Sequence, residues 1–452
     1  MITKLLLLAT ALAAPGAAFA APPPFDAAAA KARIEAVFDK NYPELDALYK
    51  DLHAHPELGF QETRTAALLA AKMRKLGFTV TEHVGKTGIV AIYKNGAGPV
   101  VLVRTELDAL PVEEKTGLPY ASKVRQTTED GTLSYVAHAC GHDSHMAWWI
   151  GAAEALLAMK DRWHGTLMFV GQPAEEMISG AKAMLADGLF TRFPKPDYGF
   201  AAHVGPTAFG TVNVKQGVVT SASDTLLITF RGVGAHGSMP DKSIDPIVEG
   251  AHFVTDVQAV ISRQKDPQKF GVVTVGAFQA GTVPNIIPDH ADLKLTLRSY
   301  DPDVRKQIVD DVITTANAVA QMAHAPAPEI RRPPAASPVV NDDALAAETA
   351  AVLKTALGAD KVTLTPDYQP GWTASEDYSD FVDAGMKKSV YFGIGGYDPK
   401  MIAAYKAEGK PLPVNHSPYF APVPEPTIRT GVETLTLAVL SVAGTASSAG
   451  AN

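Results

Sequence analysis

The stretch GTLMFVGQPAEE, residues 165–176, is a short apolar run that ends in two adjacent carboxylates, Glu175 and Glu176. A run of this length, closed by glycine and proline, reads as a strand buried on both faces. Two neighbouring carboxylates at its end repel each other unless something offsets the charge, and a divalent cation does so. One could then ligate the metal while the other takes a proton from a water.

The same grammar recurs on either side. GIVAIYK (88–94) and VVLVRTELDAL (100–110) read as strands, the second running into acidic residues. YGFAAHVG (198–205) reads as a strand that ends in a histidine, His203. Between them lie helical patterns at 30–54, at ETRTAALLAAKMRKL (62–76), at MAWWIGAAEALLAMK (146–160) and at GAKAMLADGLF (180–190). Strands that run into polar side chains, with helices between, make an open α/β sheet whose ligand site lies at the strand ends.

After about residue 216 the order changes to β-α-β-β-α: DTLLITFRG, a helix over roughly 243–264, VVTVGAFQAG, DHADLKLTLRSYD and a helix over about 302–323. This order predicts a ferredoxin-like α+β insertion. The expected organisation is a signal peptide at 1–20, a catalytic domain at 25–215 and 335–445, and a lid or dimerisation domain at 216–330 between its halves. Residues 21–24, APAPEIRRPPAASP (325–338) and the tail after Val442 read as the least structured segments.

HACGHDSH, residues 138–145, holds the only cysteine among 452 residues, with three histidines and an aspartate within five positions of it. The chain opens MITKLLLLATALAAPGAAFA, with Lys4, an apolar run and the small-x-small triplet Ala18-Phe19-Ala20. That is the layout of a secretory leader, with cleavage expected after Ala20, and it points to export into a bacterial periplasm. Disulfides form in such a compartment, yet a single cysteine has no partner in its own chain. Cys140 is therefore a small buried hydrophobe, an intermolecular bridge or a thiolate ligand, and its neighbours favour the ligand. Cys140 and His142 can reach one cluster with Glu175, Glu176, His203 and His416, a set that suits hydrolytic metal chemistry.

Composition narrows the classes. Lys and Arg total 40 against 48 Asp and Glu, a net charge of −8, and no basic stripe with aromatics marks a nucleic-acid surface. No further apolar run suggests a membrane span once the leader is removed. With 46% hydrophobic residues the chain can bury a large core.

Nine motifs, read in order, resemble the dizinc-type aminoacylase/carboxypeptidase metallohydrolases. They are HAHPELGFQET, ELDALPVEE, HACGHDSH, GQPAEE, HVGP, GAHGSMP, NIIPDHADLKLTLRSYD, SEDYS and HSPYF, and they span about Leu48 to Pro422. The resemblance is to the amidohydrolase subgroup, which includes hippurate hydrolases, N-acyl-amino-acid amidohydrolases and indole-acetyl-amino-acid hydrolases. It implies a catalytic domain with a mixed α/β sheet, an inserted ferredoxin-like lid, and a homodimer formed through that lid. It also implies two divalent metals (Zn, Mn, Co or Ni) held by Cys140, His142, Glu176, His203 and His416, with Cys140 bridging. Glu175 is then the general base, and Asp108 a supporting residue that orients a ligand. His236 is the lid histidine that polarises the scissile carbonyl, in some relatives from the partner subunit. Asn285 and Arg298 are the lid groups that hold the substrate carboxylate.

Three positions depart from the pattern. Glu106 stands where relatives usually have Asp, HVGPTAFG lacks a second proline, and Trp148-Trp149 replace small aliphatics. The expected reaction is hydrolysis of an N-acyl amino acid or a related small amide. The alternatives are an exported dipeptidase or carboxypeptidase, a non-catalytic binder of the same fold, and a cysteine hydrolase using Cys140 with His142. Every ligand and the base are present, which argues against the binder, and a chelated thiolate is not a free nucleophile, which argues against the cysteine hydrolase.

Overall fold

The computed structural model describes residues 25–444. The expected signal peptide, 1–20, lies outside the described residues. Helices α1 (Ala27–Ala54) and α2 (Thr63–Lys75) precede strands β1 (Thr79–Val84), β2 (Gly88–Asn95) and β3 (Val100–Glu106). Then come α3 (His142–Ala158), β4 (Gly165–Gln172), β5 (Tyr198–Ala208) and β6 (Val212–Lys215). A second group follows: β7 (Ala222–Arg231), α4 (Pro246–Asp256), β8 (Gly271–Ala280), β9 (His290–Ser299), α5 (Pro302–Met322) and β10 (Glu329–Arg331). The chain returns through α6 (Asp343–Leu357), β11 (Val362–Thr365), β12 (Ser389–Tyr397) and α7 (Pro424–Ala443).

The large sheet has eight strands in the order β1-β2-β4-β3-β5-β12-β6-β11. Its centre, β4-β3-β5-β12, is parallel, while β1, β2 and β6 join antiparallel to their inner neighbours, so the sheet is mixed. Apolar side chains cover both faces. On one, α3 lies against α1, α7 and the sheet; it is apolar on nearly every side, so almost all of it is buried. Trp148 and Trp149 belong to that packing: both are fully buried, and the Trp149 indole donates to the Val103 carbonyl at 3.0 Å.

The second group builds its own core. Its four-stranded antiparallel sheet runs β8-β9-β7-β10, and α4 and α5 pack on it through Leu226, Ile228 and Phe230 of β7 and Leu293, Leu295 and Leu297 of β9. The buried residues alternate along both strands, as a sheet covered on one face requires. An Arg305–Asp224 ion pair ties α5 to β7 within this group, and a hydrogen bond at 2.7 Å from the Tyr300 hydroxyl to the Gly371 carbonyl reaches back to the returning chain.

Three local expectations need correction. The helix read over 243–264 ends at Asp256, and a separate π-helical turn covers Val260–Gln264. GAKAMLADGLF forms two short helices, Gly180–Ala186 and Leu189–Arg192, because Gly188 takes a left-handed φ of 90°. The Pro-rich stretch 325–338 is ordered: Glu329–Arg331 pairs with β7, and Ala336 exchanges backbone hydrogen bonds with Ser223. Its few paired residues sit among prolines that carry no amide hydrogen, which hides the strand from pattern reading.

Candidate metal centre

Three backbone turns and one strand deliver the candidate ligands to one place, with Asp108 beside them. The chain leaves β3 through Leu107 and Asp108, and leaves β4 through Pro173 to Glu175 and Glu176. Cys140 and His142 flank Gly141, whose φ of 89° starts α3; a Cβ at that glycine would fall 2.4 Å from Val204 Cγ1, so only glycine lets the turn nest against β5. His203 does not end its strand as the sequence suggested. It lies inside β5, which continues to Ala208 because β12 keeps pairing with it; His203 is nonetheless past the last β5 residue that pairs with β3. His416 comes from the C-terminal loop, with its amide donating to the Ala139 carbonyl at 2.8 Å. Asn415 steadies that loop by donating to the carbonyls of Cys140 and Val204.

Hydrogen bonds at Nδ1 fix the rings of the candidate ligands His142 and His203. His142 Nδ1–H donates to the Asp108 carbonyl at 2.8 Å, and His203 Nδ1–H donates to the Val204 carbonyl at 2.8 Å. Both rings therefore turn a lone pair on Nε2 into the pocket. His142 Nε2 is 3.9 Å from Glu175 and from Glu176, His416 Nε2 is 3.4 Å from Glu176, and Cys140 Sγ is 3.3 Å from His203 Nε2. His142 Nε2, Glu176 Oε1 and Asp108 Oδ1 are buried with no hydrogen-bond partner. Orphaned polar atoms of this kind, converging from separate elements, are what a cation site requires.

The electrostatics agree. Burial, then Glu176 and Glu175, push the Cys140 thiol well up. Burial, then Glu376 and Glu176, hold Glu175 well above the carboxylate range, and burial with Asp108 lifts Glu176 to about 7. Burial disfavours a charge on His142, yet Asp108, Glu106 and Glu176 outweigh it and raise the imidazole to about 10. Burial first and crowded carboxylates second drive the Cys140, Glu175 and Glu176 shifts, and cations among these donors would offset that negative charge. Cys140 is also no activated nucleophile, since carboxylates beside a thiol suppress the thiolate. The donor set fits two borderline divalent ions: Cys140, His142 and His203 form one candidate group, and Cys140, Glu176 and His416 another.

Asp108 supports the site in a way spacing did not reveal. Its backbone carbonyl, not its carboxylate, takes the His142 hydrogen bond, and the carboxylate accepts the Glu176 amide at 3.0 Å. Beneath it runs a charged layer that sequence reasoning missed. Buried Arg104 contacts Glu106, Glu376 and Asp377, and Gln172 donates to Asp377 at 2.6 Å. His145 stacks on Trp148 with ring centroids 4.5 Å apart. Further back, His53 is held between Asp143 (2.6 Å) and Glu114 (3.0 Å). One signal could have flagged Arg104: an arginine inside an apolar strand must find carboxylates.

The three lid candidates are not among the groups gathered at this centre. His236 is exposed in a two-residue strand paired with Ile286–Ile287, its Nδ1 accepting the Ser238 amide at 3.1 Å. Asn285 lies beside it, its carbonyl accepting the Gly237 amide at 2.8 Å. Arg298 sits on β9 opposite Ser223 and donates to Thr296 (2.6 Å) and to the Leu297 carbonyl (3.0 Å).

A mixed sheet beside which a buried thiol, three histidines and paired carboxylates converge is the framework of a metal-dependent hydrolase. The chain belongs to Peptidase family M20/M25/M40, whose model matches residues 102–439. It is 37% identical over 352 residues to a hippurate hydrolase of Campylobacter jejuni, covering 77% of this chain and 87% of that protein. It is 36% identical over 274 residues to an N-acetylcysteine deacetylase of Bacillus subtilis, covering 60% and 69%. Among solved structures it resembles the Bacillus subtilis YxeP protein, a dinuclear metal-binding peptidase of the M20 family. The TM-score is 0.69 at 26% identity, with 89% of this chain and 99% of that one covered.

Proposed function

We propose that the protein is an exported amidohydrolase that cleaves N-acyl amino acids, releasing a carboxylic acid and a free amino acid. The observation that carries this is the pair of histidines locked with Nε2 toward unpartnered Glu176 and buried Cys140. Proteins similar to this chain include the hippurate hydrolase and the N-acetylcysteine deacetylase. Cys140, His142, Glu176, His203 and His416 would hold the two cations. Bound there, the metals supply Lewis acidity toward the amide carbonyl and lower the pKa of a shared water. Glu175 takes the proton of the attacking water and returns it to the leaving nitrogen. Asp108 keeps the His142 ring and the Glu176 amide in place.

The second group of elements serves as a lid and as the contact in a homodimer. His236 and Asn285 share one edge of it, suited to meet the carbonyl oxygen and the carboxylate of a substrate, and Arg298 offers that carboxylate a planar two-point donor. Support for the dimer comes from the exposed apolar side chains Ile247, Val248 and Phe278 beside the β8 edge, and strand edges are usually paired or covered. A leader at residues 1–20 would direct the chain to the periplasm. Among the described residues no helix is long and apolar enough to cross a membrane.

The test is direct. A chelator should abolish activity on hippurate and N-acetyl amino acids, and Mn²⁺, Co²⁺ or Zn²⁺ should restore it; activity that survives the chelator refutes the metal mechanism. Dipeptides in the same panel separate an acyl-amino-acid hydrolase from an exported dipeptidase. Arg298→Ala should raise KM for acids far more than for their amides, and equal effects would remove the clamp. Sedimentation should show a dimer, and a strict monomer would refute the lid contact.

A further inference from the structure

The motif HAHPELGFQET supplies two glutamates, and the structure gives them different work. Glu57 accepts the amides of Arg64 (3.0 Å) and Thr65 (2.7 Å) and so caps the start of α2. Glu62 caps nothing. It is fully buried, and its carboxylate faces the loop that carries Glu175. Oε1 accepts the Ala174 amide at 2.8 Å, and Oε2 accepts the Thr87 hydroxyl at 2.5 Å.

That loop needs holding. Ala174 takes a left-handed φ of 46° and Ile178 one of 52°, conformations that β-carbon-bearing residues keep only where their surroundings impose them. The Ala174 carbonyl accepts the amides of Ser179 and Gly180, and a Cβ on Gly180 would fall 1.5 Å from the Pro173 carbonyl oxygen. Asp108 grips the loop one residue beyond Glu175, at the Glu176 amide. Glu62 grips it one residue before. The backbone on both sides of Glu175 is thus pinned by a buried carboxylate, and Glu175 itself is left free to meet substrate.

We propose that Glu62 is a positioning residue for hydrolysis, which fixes the reach of the Glu175 carboxylate by holding the Ala174 amide. The proposal rests on Glu175 being the base. Displacing a proton-transfer group by a fraction of an ångström to an ångström lowers turnover by about 10–100-fold while leaving ground-state binding nearly untouched.

The experiment uses the full-length protein loaded with Mn²⁺ and assayed on hippurate, or on whichever N-acetyl amino acid the wild type cleaves fastest. Glu62→Asp keeps the carboxylate but shortens its reach; kcat should fall about 10–100-fold, with KM within threefold and two metals still bound. Glu62→Gln keeps the reach and an oxygen for the Ala174 amide, and should stay within about fivefold of wild type. Amide exchange at Ala174 should quicken in Glu62→Asp and not in Glu62→Gln. Glu57→Ala, the cap in the same motif, should lower the melting temperature without changing kcat. Wild-type kcat in Glu62→Asp, beside an inactive Glu175→Gln, overturns the positioning alone. An inactive Gln beside an active Asp also overturns it, since charge and not reach would then matter. Full activity in Glu175→Gln overturns the base and the proposal together.

Discussion

Glu106 and His145 face each other beneath the metal site: His145 Nδ1–H donates to Glu106 Oε2 at 2.8 Å, and His145 Nε2 accepts the Val204 amide at 3.0 Å. Arg104 contacts the other oxygen of Glu106. A chain of contacts therefore runs from a buried arginine to the residue that follows the candidate ligand His203. One Glu106 carboxylate thus reaches both partners, one through each oxygen. Glu106→Asp should lose one of these bonds and destabilise the protein by roughly 1–3 kcal/mol, read from the urea midpoint. An unchanged midpoint would show that the reach is not used.

Glu175 and Glu176 are neighbours with different surroundings, and their amides should separate base from ligand. Glu175→Gln is expected to bind two metals per chain and to lose roughly three or more orders of magnitude in kcat. Glu176→Gln, which loses a donor facing His142 and His416, should bind metal more weakly. Metal analysis with the two outcomes exchanged would reverse the assignment.

Cys140→Ser tests the thiol. A hydroxyl is a far poorer bridging ligand than a thiolate, so the variant should lose at least one of two metals together with its activity. Two metals per chain and wild-type turnover would leave Cys140 as a small buried side chain.

His53 predicts a pH dependence of stability. Burial opposes its charge, but Asp143 and Glu114 outweigh that and raise it to about 10, against an ordinary value of about 6.5. The stabilisation is then fully present below about pH 6.5 and is lost as pH rises through about 10. The partner carboxylates are both lowered, so their contribution is present above the ordinary carboxylate range and is lost at acid pH. The melting-temperature gap between wild type and His53→Gln should narrow steadily from pH 7 to pH 10. A gap that stays constant across that window would rule out a charged His53.

The residue types at the metal centre were readable in the chain because they are chemically scarce and punctuated by strand ends. Cys140, His142, Glu175, Glu176 and His203 lie within 64 positions, each beside a glycine, proline or apolar run that marks its element. The strands and longer helices were readable for a similar reason, since period and punctuation are local. Other features depend on partners that no local pattern contains. Arg104 meets Glu376 some 272 positions away, and His53 meets Asp143 across 90. Whether a buried charge is an error or a clamp depends on which carboxylate the fold brings to it, because burial is costly for a charge alone and tolerable for a hydrogen-bonded pair. The same holds for Glu62. Its spacing suggests a helix start, and only the packing of α2 against the β4 loop turns its carboxylate toward the backbone beside Glu175.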